Sequence, residues 1–461
     1  MKNLLKKYLL IFGGISLSFF LIRAYASETN AYISPSPYIP EICKENIGSQ
    51  NFSLMNVCDN TNLREIFLGS LENDKNKERM ETENPKCERQ GCKGAPGSSL
   101  KNECCSDESA NKNDIDSVTF YEVENGYECG LSGSFVGRVG ERLIQAGGCN
   151  FPVDPLAPQS QKKFYQGIYE MVCVEDGKWS VYKIGDLKAP IAYGSGVTIP
   201  DGLLLIGGSD AKTSFRDVYI LKQGEGGKVI IEEYPSLPVS VDNAYATYWD
   251  GTVYVAGGNM NGEPSVKLYA LELNNLEEGW KELPSFPGNQ RVQPVMAAAQ
   301  GKDGNDYIYI WGGFAPKGGQ REASLNTDGV RFNINSKKWE SIPGPVDNTG
   351  EPLSVGGGTI ATLTDGRFVV TGGVNKDVFI EALRNQAPDY LSHPIEWYRF
   401  NPFVLVYDPK DNSWSIKEET SNTARAGAGM ISTDKDEIIV VGGELKPRIR
   451  TAEIYKTKID K

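Results

Sequence analysis

The chain has 461 residues, with 48 Lys and Arg against 60 Asp and Glu, a formal net charge of −12 and a single histidine, His393. The acidic balance argues against nucleic acid as a partner, since a nucleic-acid surface requires a basic footprint. One histidine excludes multi-imidazole zinc and copper sites, whereas 39% apolar residues suffice for a large core.

The chain opens with Lys2, Lys6 and Lys7, an apolar run from Tyr8 to Ile22, and Ala24-Tyr25-Ala26. This reads as a signal peptide over 1–26, too short to span a membrane comfortably, with an uncleaved anchor as the alternative. Its removal takes away four positive charges and no acids, moving the net charge from −12 to −16. We therefore expect a periplasmic protein, or a secreted one, with no stable membrane insertion after cleavage.

Six of the nine cysteines (Cys43, Cys58, Cys87, Cys92, Cys104 and Cys105) fall in 27–112, and Cys129, Cys149 and Cys173 follow. The 27–112 stretch is polar and poor in periodic apolar pattern, so it is expected to be a cysteine-rich, loop-rich or partly disordered extension. It contains no C-x-x-C pair, which favours disulfides or thiols over a metal site.

From residue 113 to 461 the sequence repeats. A short apolar strand ending in Gly-Gly recurs six times, with the second glycines at Gly148, Gly208, Gly258, Gly313, Gly373 and Gly443. Their spacings of 60, 50, 55, 60 and 70 residues mark stacked supersecondary units. Glycine totals 50 residues, about 11% of the chain against about 7% in average proteins, and the doublets use much of the excess. Each unit begins with a small-residue segment, turns at Asp-Gly or a similar polar pair, and continues past the doublet into another strand. A last strand is often led by tryptophan: Trp179, Trp280, Trp339 or Trp414. Four antiparallel strands per unit make a propeller blade. The fold class is thus all-β, a six-bladed kelch-type β-propeller over 113–461 behind the cysteine-rich extension. The final unit lacks a tryptophan-led outer strand, so Val118–Val123 is expected to supply it and close the ring.

Polar residues beyond what a turn requires follow two doublets: Glu444-Leu-Lys-Pro-Arg-Ile-Arg450, and Val374-Asn375-Lys-Asp-Val-Phe379. A third candidate segment, FPGNQRVQ, carries Arg291 and Gln293. A carboxylate and an arginine six residues apart suit a general base beside an anion clamp, or else a local ion pair that steadies a turn.

The segments GGELKPRIRT (Gly442–Thr451) and GGVNKDVF (Gly372–Phe379) resemble the bacterial N-acetylneuraminate epimerases, the sialic acid mutarotases, in a cyclically permuted order. The resemblance implies an isomerase that interconverts the α and β anomers of a sugar acid by base-assisted ring opening. No metal or redox cofactor is required for that chemistry. It places the catalytic residues at Glu444 and Arg450 and substrate contacts at Arg291 and Asn375, with Gln293, from the same segment as Arg291, as a further candidate contact. The family's insertion after GGVN falls at Lys376–Pro402, where a short helix is expected at Val378–Asn385 and His393 as a lid or structural residue. The rival reading is a non-catalytic secreted glycan-binding propeller. A copper oxidase fails for want of histidines, and a sialidase for want of S-x-D-x-G-x-T-W repeats.

Overall fold

The computed structural model describes residues 117–460, apart from 176 and 386. The expected signal peptide over 1–26, the expected extension over 27–112 and the six cysteines from Cys43 to Cys105 lie outside the described residues. Among those described, the chain is nearly all β with a single α-helix, Lys376–Arg384, and no helix is long and apolar enough to cross a membrane.

Six sheets of three to five strands follow one another along the chain, antiparallel except for one strand of the first. Their innermost strands are Phe135–Val139, Ser195–Ile199, Tyr245–Trp249, Val295–Gln300, Thr359–Thr362 and Gly429–Ser432. These neighbour one another in chain order, and the last lies beside the first. Sheets two to five each have four strands, as the repeat predicts.

The second strands of the sheets bury both faces and so read as near-unbroken apolar runs, whereas outer strands such as Ser413–Glu419 alternate. In Gly202–Ile206, Leu203 and Leu205 pack towards the first sheet, while Leu204 and Ile206 pack towards the third. Six such clusters fill the gaps between neighbouring sheets. One of them joins Ile431, Ile439 and Val441 of the sixth sheet to Val136, Met171 and Trp179 of the first.

At five junctions a glycine doublet ties one sheet to the next. The second glycine donates its N–H to a carbonyl just before the following inner strand: Gly148 to Ile191, Gly208 to Val241, Gly258 to Arg291 and Gly373 to Arg425. Gly443 donates to Leu131 at 2.8 Å, so the sixth sheet is tied to the first by the same bond. At Gly442, φ is 61° and an added Cβ would sit 2.5 Å from the Leu131 carbonyl oxygen, which only glycine tolerates. Tryptophans add outer pins: the indole N–H groups of Trp280, Trp339 and Trp414 donate to the carbonyls of Pro235, Pro284 and Pro343, each on the chain leaving the preceding sheet.

The expectation for Val118–Val123 is corrected. Ser117–Tyr121 pairs in parallel with Lys178–Asp186, as a fifth strand on the first sheet, and the sixth sheet keeps three strands. The register sets Val118 beside Trp179 and Phe120 beside Val181. Val118 and Phe120 thereby reach the apolar cluster shared by the first and sixth sheets without pairing to the latter's edge.

Candidate functional site

Six backbone hydrogen bonds form a closed cycle where the inner strands begin. Tyr193 N–H donates to the Gly133 carbonyl (2.7 Å), Asn243 to Tyr193 (2.7 Å), Gln293 to Asn243 (2.8 Å), Gly357 to Gln293 (2.9 Å), Gly427 to Gly357 (2.7 Å) and Gly133 to Gly427 (2.9 Å). All six residues have positive φ, between 52° and 77°. Glycine adopts that conformation freely; Tyr193, Asn243 and Gln293 adopt it with side chains attached, at a cost of about 1–3 kcal/mol each. These three positions therefore place side chains, rather than bare backbone, on the ring.

A cavity of about 570 Å³ extends along the inner strands, with the ring residues and many Gly, Ala, Ser and Thr in its wall. Glu444 and Arg450 are not part of its lining. The concentration of ionisable groups lies elsewhere, at the hairpins that follow the doublets, and the chemistry is argued from there.

Glu444–Lys446 and Ile449–Arg450 form a small hairpin in which Glu444 is paired with Arg450. Glu444 is locked from both sides: its N–H donates to the Ala426 carbonyl (2.7 Å), its carbonyl accepts from Ala426 (2.9 Å), and Gly443 before it is tied to Leu131. The two side chains form an ion pair at 2% and 4% exposure. Oε1 of Glu444 accepts no hydrogen bond from any described residue. Arg448, in left-handed conformation at the hairpin tip, donates to the carbonyls of Pro155 and Ala157 and lies over the Phe151 ring.

A second hairpin, Cys149–Asn150 with Lys163–Phe164, comes from the first sheet. It brings Lys162 and Cys149 to Tyr193: Lys162 Nζ donates to the Tyr193 hydroxyl at 3.0 Å, and the Cys149 thiol donates to it at 3.0 Å. Burial, with the Cys149 thiol beside it, pushes the Tyr193 phenol well above its ordinary range, while the Arg450 guanidinium acts in the opposite direction. Burial and the neighbouring Arg450 and Arg448 lower the Lys162 ammonium to about 8. Three cations, Arg448, Arg450 and Lys162, thus gather near one carboxylate. Such a cluster favours an anionic guest.

The structure brings Glu444 and Arg450 together and puts the other expected site residues to different uses. The Arg291 guanidinium donates to Asp328 (2.8 Å) and to the carbonyls of Gly312 (2.8 Å) and Asp328 (3.3 Å). Arg425 repeats this arrangement in the sixth sheet with Gly442 and Glu453. Gln293 belongs to the ring and donates to Asn243 Oδ1 at 2.8 Å; Asn243 in turn donates to the buried Asp242. Asn375 caps the helix, its Oδ1 accepting from the N–H groups of Asp377 and Val378. That cap starts the helix at Lys376, two residues before the expected Val378. His393 stacks on Trp397, its ring centroid 3.9 Å away, and its carbonyl accepts from Lys446 Nζ at 2.8 Å.

Sequence reasoning missed Tyr193, Lys162, Cys149 and Arg448. One signal was available for Tyr193: it stands where the matching segments of the first, fifth and sixth units carry Gly133, Gly357 and Gly427.

Residues 234–461 match the family model for N-acetylneuraminate epimerase. Curated relatives include the N-acetylneuraminate epimerase of Haemophilus influenzae (strain PittEE), 32% identical over 240 residues, covering 49% of this chain and 60% of the relative. The N-acetylneuraminate epimerase of Brucella melitensis biotype 1 is 29% identical over 249 residues, covering 51% of this chain and 61% of the relative. A solved structure described as "Structure of YjhT" aligns over 49% of this chain and 65% of its own, at 24% identity and a TM-score of 0.41. The chain spans about three fifths of the length of the curated relatives it matches. In its C-terminal half, from residue 234 to 461, this chain carries the pattern of the N-acetylneuraminate epimerase family.

Proposed function

We propose that the ring of sheets is a six-bladed kelch-type propeller, permuted relative to its relatives, and that it interconverts the α and β anomers of N-acetylneuraminate in the periplasm. The observation carrying this reading is the buried Glu444–Arg450 pair within a cluster of cations, inside the 234–461 match to the epimerase family. A match in one piece over about half the chain is also what a closed ring, cut at a different point, would give.

The substrate class is a 2-keto sugar acid, whose anomers exchange through the open-chain ketone. Glu444 is ion-paired with Arg450 through Oε2, and its Oε1 is the atom placed to accept the proton of the anomeric hydroxyl. Arg450 and Arg448 provide the cationic wall for the substrate carboxylate; guanidinium forks suit that planar anion. Closing the open chain on the other face of the carbonyl gives the second anomer. The guest would reach the cluster from the hairpin side, past the segment Val153–Lys162. That segment holds Arg448 through backbone carbonyls and exposes Val153 at 76%.

Proton NMR of freshly released α-N-acetylneuraminate tests the reading. Wild-type protein should speed the approach to the anomeric equilibrium, and Glu444→Gln should bind the sugar acid without doing so. Saturable binding with no acceleration by wild type would instead make the protein a glycan-binding propeller.

A further inference from the structure

Ring opening needs two proton transfers. Glu444 accounts for the proton leaving the anomeric hydroxyl, whereas the departing ring oxygen needs a donor. We propose that Tyr193 is that donor, and that Lys162 is a positioning residue whose charge supports the phenolate formed in passing. This deepens the mutarotase reading and rests on it.

Tyr193 is the one member of the hydrogen-bonded ring with a titratable side chain, and it is held in left-handed conformation at φ 62°. A phenol has one proton to give and two lone pairs to fill. Lys162 Nζ donates to the oxygen at 3.0 Å and the Arg450 guanidinium hydrogen-bonds to it as well, so two cations occupy its lone pairs and its own proton points away from them. The hydroxyl also lies within the field of Arg450, the partner of Glu444, so donor and base serve one guest. Burial keeps the phenol protonated at neutral pH, as a proton donor must be. Lys162, Cys149 and Tyr193 all lie outside 234–461, so the site draws on the part of the chain that the family match does not cover.

The step balances. Glu444 takes the anomeric hydroxyl proton as the carbonyl forms at C2, and the bond from C2 to the ring oxygen breaks with its electron pair on that oxygen. The ring oxygen takes the Tyr193 proton. After rotation the same hydroxyl attacks the other face of C2, returning its proton to Tyr193 while Glu444 gives its proton to the former carbonyl oxygen. Lys162 carries a proton throughout and exchanges none.

The charged groups facing Lys162 are Arg448 and Arg450 from the Glu444 hairpin, with Tyr193 and Cys149 as its other titratable neighbours. With Lys162 at about 8, the rate should fall as pH rises through that value.

Anomer exchange at equilibrium, read by NMR saturation transfer on the full chain with N-acetylneuraminate, gives kcat, and calorimetry gives Kd. Tyr193→Phe should lower kcat by roughly 10²–10⁴-fold with Kd unchanged within about threefold, the range expected for a lost general acid. Lys162→Arg should keep most of the rate and remove the fall above pH 8, because guanidinium stays charged; Lys162→Met should lower the rate at every pH. Full kcat in Tyr193→Phe, with Glu444→Gln inactive, would overturn this proposal and leave the mutarotase reading standing. An unmoved alkaline fall in Lys162→Arg would overturn the role given to Lys162, and does so even if the Tyr193 variant fails to fold. Wild type that does not accelerate exchange would overturn the mutarotase reading and this proposal together.

Discussion

Arg291 and Arg450 are two arginines of similar burial, at 1% and 4% exposure, and the sequence offers both as anion clamps. Arg291 directs its terminal N–H groups to Asp328 and two backbone carbonyls, and Arg425 makes the same set of contacts two sheets later. Arg450 faces a buried carboxylate on its own hairpin, beside a lysine from the first sheet and the tyrosine that leads into the second. In a repeat protein, burial and charge alone do not distinguish a site from a strut. A device that recurs from sheet to sheet belongs to the architecture, and one that occurs once is a candidate for chemistry.

The sharpest way to break this comparison is at Glu444, since Glu444→Gln should lower the rate of anomer exchange by roughly 10²–10⁴-fold. Removing the guanidinium in Arg450→Met should weaken the sugar acid's Kd by roughly tenfold to a hundredfold, the worth of a charge-assisted hydrogen bond of about 1.5–3 kcal/mol. Arg291→Met and Arg425→Met should instead each cost roughly 1–3 kcal/mol of stability, read from urea unfolding, because buried carbonyls lose their donors. The sugar acid's Kd should change by less than about threefold in Arg291→Met, and a larger loss would return Arg291 to the site. At the seam, Gly442→Ala should destabilise far more than Gly226→Ala: both residues have positive φ, but an added Cβ meets Leu131 at Gly442 and nothing within 4 Å at Gly226.

The smallest effect concerns Lys162. Its folded value of about 8 lies below the ordinary 10.5, so the unfolded chain binds more protons between those values and stability rises with pH there. Below about pH 8 the folded protein bears the full burden of the charge. Lys162→Met should therefore raise Tm at pH 7, and the gain should shrink as pH climbs from 8 to 10.5.

The repeat was legible because each doublet has a local signature, an apolar strand followed by two glycines in left-handed conformation. Glu444 and Arg450 were legible because one hairpin carries both. Tyr193, Lys162 and Cys149 were not, since only the closure of the sixth sheet on the first brings them to residues some 250–300 positions later in the chain. The placement of Ser117–Tyr121 was misread for a related reason. A missing strand in the last unit suggested an exchange between the chain ends, whereas Val118 and Phe120 reach the same apolar seam from the first sheet's outer edge. For Arg291, a sequence shows an arginine near a doublet without showing that its terminal N–H groups donate to Asp328 and two carbonyls.

The most direct measurement compares anomer exchange of N-acetylneuraminate in wild type, Glu444→Gln and Arg291→Met under one set of conditions, with folding of each verified by its unfolding transition. The account predicts that wild type and folded Arg291→Met exchange the anomers at similar rates while Glu444→Gln falls to the uncatalysed rate. Exchange that survives in Glu444→Gln and is lost in Arg291→Met would contradict it.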